Sequence, residues 1–327
     1  MKTNLITKKY TTCIRCNGII VFRYRGLRDR LDTVRNAYSI CECQDCGITF
    51  TNPFPVDHLE VMYPNLYLST REIHKKKKVS LEERYRNDQY RFDFSLFSTT
   101  IRKQLADISS YLDIGCGTGE RIQYVEKQGC KRVFGIDFSD NYTIVLPKKH
   151  YFKKTAILDY IPKNKFECVS LFHVIEHLSE PEKILSHIYN NVLADNGYLI
   201  IQVPNYNSIE RRFFKNKWFC FDVPRHIWHF SPITLSNLLV KNGFTVKSIY
   251  QKNAFFHPVS INASVYKDLD IQRIWVKLSK PSLSRYASYW HIMKLGWVIT
   301  TFATIPISLL ANIFSRGSML TIICVKR

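Results

Sequence analysis

From Ile108 onward, short apolar runs alternate with stretches whose apolar residues recur at helical spacing. This is the pattern of an α/β chain folded on a doubly wound, mostly parallel sheet. The runs predict seven strands: Tyr111–Ile114, Arg132–Ile136, Thr155–Leu158, Phe166–Phe172, Gly197–Asn205, Phe244–Tyr250 and Ser318–Val325. Helical periodicity covers Arg121–Gln128 and Pro181–Leu193, and Ser231 caps a third helix that ends at Asn242-Gly243. Upstream, Gly18 to Ile40 alternates with period two and predicts a β-ribbon. Thr51–Pro64, with Pro53, Pro55 and Pro64, reads as a connector. Leu81–Phe97 carries charged and aromatic residues at helical spacing. Leu295 to Phe314 holds no charged side chain and matches a bilayer crossing in length. One crossing would separate the last strand from its sheet, and Gly296 and Pro306 interrupt the run. It reads as a helical hairpin dipping into a membrane face, or as a buried or dimer-forming cover.

These elements divide the chain into a ribbon (1–52), a connector with lid helices (53–105), a sheet domain (106–252 with 317–327) and a helical insertion (253–316). Five of the ten cysteines fall between residues 13 and 46, which suits a metal site in a reducing compartment better than a disulfide framework. Cys13, Cys16, Cys43 and Cys46 form two Cys-x-x-Cys hooks, each followed closely by a glycine, at either end of the ribbon. Such a pair of hooks can set four thiolates around zinc at about 2.3 Å, and small domains of this kind fold on the metal. Cys41 is left as a spare thiol. A hydrophobic content of 46% excludes a disordered chain, and the net charge of +20 points to an acidic partner. That partner is a phosphate-bearing substrate, a nucleic acid or an anionic membrane surface, unless the charge is spread over every face. The lysine run after His74 has the same two readings, a solvated face or a phosphate-contacting lid. Met1–Tyr10 lacks an apolar core, so a cytoplasmic chain is expected, at the inner membrane face if the insertion meets lipid.

The first strand of the sheet runs into Asp113-Ile-Gly-Cys-Gly-Thr-Gly-Glu120, where Gly115, Gly117 and Gly119 make a turn without side chains before a helix. Such a turn lets a backbone approach a bound ligand closely and aims helix-start amides at it. A dinucleotide fingerprint would place glycine at position 120, which is Glu. The stretch resembles motif I of the class I S-adenosylmethionine-dependent methyltransferases. The resemblance implies a Rossmann-like seven-stranded α/β sheet and S-adenosylmethionine as cofactor. It assigns cofactor contacts to Asp113, Gly115, Cys116, Gly117, Gly119, Phe138, Leu158, Asp159 and His173. Asp137 closes the second strand where a carboxylate can accept both ribose hydroxyls, and the resemblance gives it that role. Glu167 stands where the family usually has Asp.

His173-Val-Ile-Glu-His-Leu, Val203-Pro-Asn and Pro224-Arg-His-x-x-His-Phe-Ser-Pro together resemble the branch of ubiquinone-biosynthesis O-methyltransferases and zinc-ribbon methyltransferases of sugar and cell-surface pathways. In-line methyl transfer needs the two reacting atoms held together, and a base if the acceptor arrives protonated. His173, His177 and His229 are the candidates, an imidazole being suited to a sugar or phenol hydroxyl. In some relatives a similar pattern holds a divalent metal, which here would draw on Glu176, His177, His226 and His229. His173-x-x-Glu-His also fits a metalloprotease signature, but it leaves a strand and not a long helix. The expected activity is O-methylation of a small molecule, sugar or lipid-linked glycan. The rivals are a nucleic-acid methyltransferase, favoured by the charge, and a zinc-ribbon adaptor with an inactive fold.

Overall fold

The computed structural model describes residues 4–56 (Asp32 apart), 105–138 (Thr118 apart), 152–251, 256–265 and 314–327, with single positions between these stretches. The expected helix Leu81–Phe97, the lysine run after His74 and eleven of the twenty positions of the Leu295–Phe314 run lie outside the described residues. Among those described, no helix is long and apolar enough to cross a membrane. The chain forms two compact units. One comprises Met1–Tyr67, Pro204–Thr234 and Gln251–Met319, and the other Leu68–Val203, Leu235–Tyr250 and Leu320–Arg327.

In the first unit β2 (Ile20–Arg28), β3 (Ala37–Cys43) and β4 (Thr49–Asn52) form an antiparallel meander. A two-residue strand from far along the chain, β11 (Trp228–His229), pairs with Phe50 and Thr49 and completes a four-stranded sheet. β1 (Thr7–Lys8) pairs with β5 (Phe54–Pro55). The expected connector at Thr51–Pro64 therefore begins as strand. Thr49–Asn52 is wholly buried between its two neighbours, and Pro55 sits in a two-stranded pair, where its missing N–H is tolerated. Residues 204–234, expected as part of the sheet domain, cluster with the ribbon. Tyr206, Trp218, Phe221 and Val223 pack with Leu27, Tyr38 and Ile40 in one core, Trp218 edge-on to Phe221 at 5.1 Å. Each fully buried apolar side chain there contributes about 1.5–3 kcal/mol.

The same core encloses an ion cluster. Arg225 is fully buried and donates to Asp29 at 2.8 Å, to both carboxylate oxygens of Asp222 at 2.6 and 3.0 Å, and to the Met62 carbonyl. Arg30 donates to Asp222 at 2.7 Å. Burial opposes ionisation of Asp222, yet Arg225 and Arg30 hold its carboxyl well below the usual range. Asn205 clamps the unit's late segments, donating to Gln251 Oε1 and the Gly317 carbonyl.

The second unit carries a seven-stranded sheet of order β12-β13-β10-β9-β6-β7-β8. The strands are β6 (Ser110–Ile114), β7 (Arg132–Asp137), β8 (Phe152–Lys154), β9 (Phe166–Phe172), β10 (Leu193–Pro204), β12 (Phe244–Tyr250) and β13 (Met319–Lys326). β6 pairs in parallel with β7 and β9, and β9 with β10, while β13 lies antiparallel to β12. This is the expected doubly wound, Rossmann-like architecture, with the last strand inserted beside the edge strand. Helix α1 (Glu120–Lys127) follows β6, and α2 (Pro181–His187) follows β9. Third-strand pairing falls earlier than expected, at Phe152–Lys154 against Gly135–Asp137. Leu158 and Asp159 stand instead in an exposed single 3₁₀ turn. Glu167 accepts from the Ser109 amide and hydroxyl at 2.6 and 2.7 Å, so the extra methylene serves a local tie between β9 and the start of β6.

Candidate metal centre and active site

Two tight turns build the thiol cluster. In the first, Asn17 N–H reaches Cys13 O with Asn17 left-handed at φ 60°; in the second, Gly47 N–H reaches Cys43 O at φ 72°. Backbone amides also point at sulfur, Arg15 N–H to Cys13 Sγ at 3.5 Å and Cys46 N–H to Cys43 Sγ at 3.4 Å. The sulfurs of Cys13, Cys16, Cys43 and Cys46 all lie within 4.8 Å of one another, with Cys13–Cys46 at 3.7 Å and Cys16–Cys43 at 3.5 Å. Four thiolates about 2.3 Å from a tetrahedral zinc stand about 3.8 Å apart, so the cluster fits the ion. Burial works against a Cys43 thiolate, but the amides of Cys46 and Asp45 outweigh it and bring its pKa down to about 7. Cys41 lies outside the cluster, buried beside Asn52 Nδ2 at 3.5 Å.

In the second unit the turn after β6 needs its glycines. Gly115, Gly117 and Gly119 have φ of 69°, 52° and 78°, a region costly for residues with a Cβ. A Cβ on Gly115 would stand 2.4 Å from Val174 Cγ2. Gly135 of β7 is equally closed, since a Cβ there would meet Ile122 and Cys116. Asp137 turns back to this loop and accepts from the Gly117 amide at 3.0 Å. Behind it runs a buried polar relay that the sequence did not announce. Tyr111 donates to Ser170 and Ser170 donates to Asp113, each at 2.6 Å. Arg121 lies 3.4 Å from both Asp113 oxygens and covers the Phe172 ring at 3.5 Å. Burial raises the Asp113 pKa despite Arg121 and Ser170. Cys116 is buried with its thiol pushed far up by desolvation, so it is inert.

The His173–His177 segment leaves β9 immediately beside that turn. His173 is left-handed at φ 58°, its amide held by the Gln202 carbonyl and its Nδ1 3.4 Å from Glu176. Glu176 is 1% exposed, in a 3₁₀ turn with His177. Phe138 is half-buried at the end of β7. His226 and His229 belong to the first unit. His226 donates from Nδ1 to the Cys220 carbonyl at 2.7 Å. Thr51 gives its one hydroxyl proton to the His226 carbonyl, so at 3.1 Å it accepts from His229 Nε2, whose ring packs edge-on against Phe221.

A family model described as "Methyltransferase domain" matches residues 81–249, more than half of the chain. The chain belongs to the class I S-adenosylmethionine-dependent methyltransferases. Among solved structures, the methyltransferase is similar to an S-adenosylmethionine-dependent methyltransferase from Archaeoglobus fulgidus, at 18% identity over 76% of this chain and 100% of that one, with TM-score 0.44. It is similar to another from Mesorhizobium loti, at 12% identity over 70% and 99%, with TM-score 0.41. A third is magnesium protoporphyrin IX methyltransferase from Synechocystis with bound SAH, at 15% identity over 55% and 85%, with TM-score 0.40. No curated protein sequence matches the chain. The cradle fits the family's cofactor, because the positions where a Cβ would intrude are glycines and a carboxylate faces the turn. When bound, S-adenosylmethionine supplies an electrophilic methyl group on a sulfonium.

Proposed function

We propose that this methyltransferase transfers the methyl group to a hydroxyl of a small molecule, sugar or lipid-linked glycan, with His177 as general base. The observation that carries the reading is the contact of Val174 with the glycine turn, which seats His173, Glu176 and His177 beside the loop that would hold the cofactor. In this reading Gly115, Cys116, Gly117 and Gly119 give backbone room to the cofactor, Asp137 accepts its ribose hydroxyls, and Asp113 braces the turn from behind. Phe138, Leu158 and Asp159 flank the adenine, and the exposure of Leu158 and Asp159 leaves them accessible to it. His173 pairs with Glu176 and orients the turn that carries His177. The engagement of His229 with Thr51 favours a positioning role for that residue over proton abstraction.

The test is transfer of isotopic methyl from S-adenosylmethionine to sugars, phenols and lipid-linked glycans, with RNA alongside, using the zinc-loaded full chain. The expected product is an alkali-stable ether. His177→Asn should lower kcat by about 10²–10⁴-fold, while S-adenosylhomocysteine binding is kept. Label recovered in RNA alone, or an unimpaired His177→Asn enzyme, would replace this reading with the nucleic-acid one or remove the base.

A further inference from the structure

The uncharged run Leu295–Phe314, part of the first unit, is turned inside out relative to an ordinary surface helix. Among its described positions, Ile299, Phe302, Ala303 and Pro306 are helical and exposed, at the i, i+3, i+4, i+7 spacing of one helix face. The hydroxyls lie on the other side. Thr300 is half-buried and donates to the Gly296 carbonyl at 2.8 Å, and Thr304 is buried. Phe302 is 67% exposed, and Phe314, beyond the helix, 66%. The end of the run adjoins helix α3 (Ile209–Phe214), because the Ile209 amide donates to the Arg316 carbonyl at 3.1 Å and the Arg316 amide to the Ala311 carbonyl at 2.9 Å. In α3, Phe214 packs on the core of the unit, while Phe213, edge-on to it at 5.0 Å, is 76% exposed. The exposed cations Arg212, Lys215, Lys217 and Arg316 flank Phe213 and Phe314 along the chain. Glu210, the acidic residue of α3, does not offset them at the surface, since it is buried and accepts from Ser260 at 2.6 Å.

We propose that this face docks on an anionic lipid bilayer, with Phe213, Phe302 and Phe314 entering the interfacial layer and the four cations lying against its phosphates. An outward apolar stripe beside basic side chains is the composition of helices that lie in a membrane surface. A second copy of the chain is a poorer occupant, because a two-fold interface would set the four cations against themselves. Nucleic acid would meet the cations, yet Ile299, Ala303 and Pro306 offer neither a ring to stack on bases nor a donor to phosphate. The inference stands apart from the hydroxyl-directed reading, and it gives part of the net charge of +20 a specific task.

The test co-floats the zinc-loaded full chain with vesicles of phosphatidylcholine alone and of phosphatidylcholine and phosphatidylglycerol at about 3:1, at low and high potassium chloride. Binding to the mixed vesicles is expected, weaker at high salt and on phosphatidylcholine alone. Arg212→Gln/Lys215→Gln/Lys217→Gln should lower the partition coefficient for mixed vesicles at least about thirtyfold, each cation near an anionic surface being worth about fivefold. Phe213→Ser/Phe302→Ser should lower it at least about tenfold. A charge-matched control in the second unit, Lys131→Gln/Lys241→Gln/Lys247→Gln, should stay within about threefold of the parent. All these side chains are exposed, so the variants should fold, which far-ultraviolet circular dichroism checks; Phe213→Ser alone serves if the double variant does not. No flotation of the parent with mixed vesicles, an equal loss in the control, or phenylalanine variants that float as the parent does would overturn the proposal. An RNA complex lost in the Arg212/Lys215/Lys217 variant, with vesicles left unbound, would reassign the face to nucleic acid. A parent dimer that Phe213→Ser/Phe302→Ser dissolves, again without flotation, would reassign it to a second copy.

Discussion

Alanine at position 115 tests whether the glycine turn and the histidine segment form one mechanical unit. At φ 69° an alanine pays about 1–2 kcal/mol for the left-handed backbone. Its Cβ would also stand 2.4 Å from Val174 Cγ2, where carbon contacts settle near 3.5–4.0 Å. Val174 must retreat by about 1 Å or more, an overpacking that costs about 1–3 kcal/mol. The free protein escapes by distorting the turn, and the cost returns when a ligand requires the native turn. Gly115→Ala should therefore weaken S-adenosylhomocysteine binding by about 2–5 kcal/mol, from roughly thirtyfold to a few thousandfold. Val174→Ala deletes the obstructing methyl, so the double variant should regain the packing share and keep only the backbone cost. Calorimetric titration of both variants reads this split directly. A Gly115→Ala protein binding within about threefold of the parent, or a double variant no better than the single, would refute the reasoning.

Arg225→Met should destabilise the first unit by about 3–5 kcal/mol, because Asp29 and Asp222 lose a buried counter-charge. All five tryptophans fall in that unit's segments, so urea unfolding followed by tryptophan fluorescence isolates the effect. Asp222 is held below its ordinary pKa in the folded state, so its stabilisation is complete above about pH 4 and is lost as pH falls further. Asp222→Asn should accordingly flatten the acid limb of the fluorescence-monitored stability profile. Native mass spectrometry should find one zinc per chain, absent in Cys43→Ser, and strong chelators should unfold the ribbon, with the fluorescence reporting it.

The sheet was legible because its signals are local. Phe166–Phe172 and Phe244–Tyr250 stand where their apolar runs begin and end, and three left-handed glycines occupy the turn their spacing implied. The four hook cysteines converge for the same reason, each turn being set by neighbours in sequence. Strand three was misplaced because Thr155-Ala-Ile-Leu carries a strand-like composition, whereas pairing with Gly135–Asp137 chose the less apolar Phe152-Lys-Lys. The relay from Tyr111 through Ser170 to Asp113 was hidden, since alternation marks which residues face inward and not which hydroxyl meets which carboxylate. The ion cluster joins Asp29 to Arg225 across 196 positions, and no local pattern reports such a pairing. The Pro-Arg-His motif drew attention to its histidines, while the structure buries its arginine.

The two-residue strand at Trp228–His229 sets the order in which this protein can be assembled. During synthesis the four hook cysteines emerge early and can capture their metal, yet the sheet beside them keeps an open edge at Thr49 and Phe50 until the chain has been extended to Trp228 and His229. A fragment ending after Asn52 would expose that edge permanently, so it should self-associate where the whole polypeptide does not.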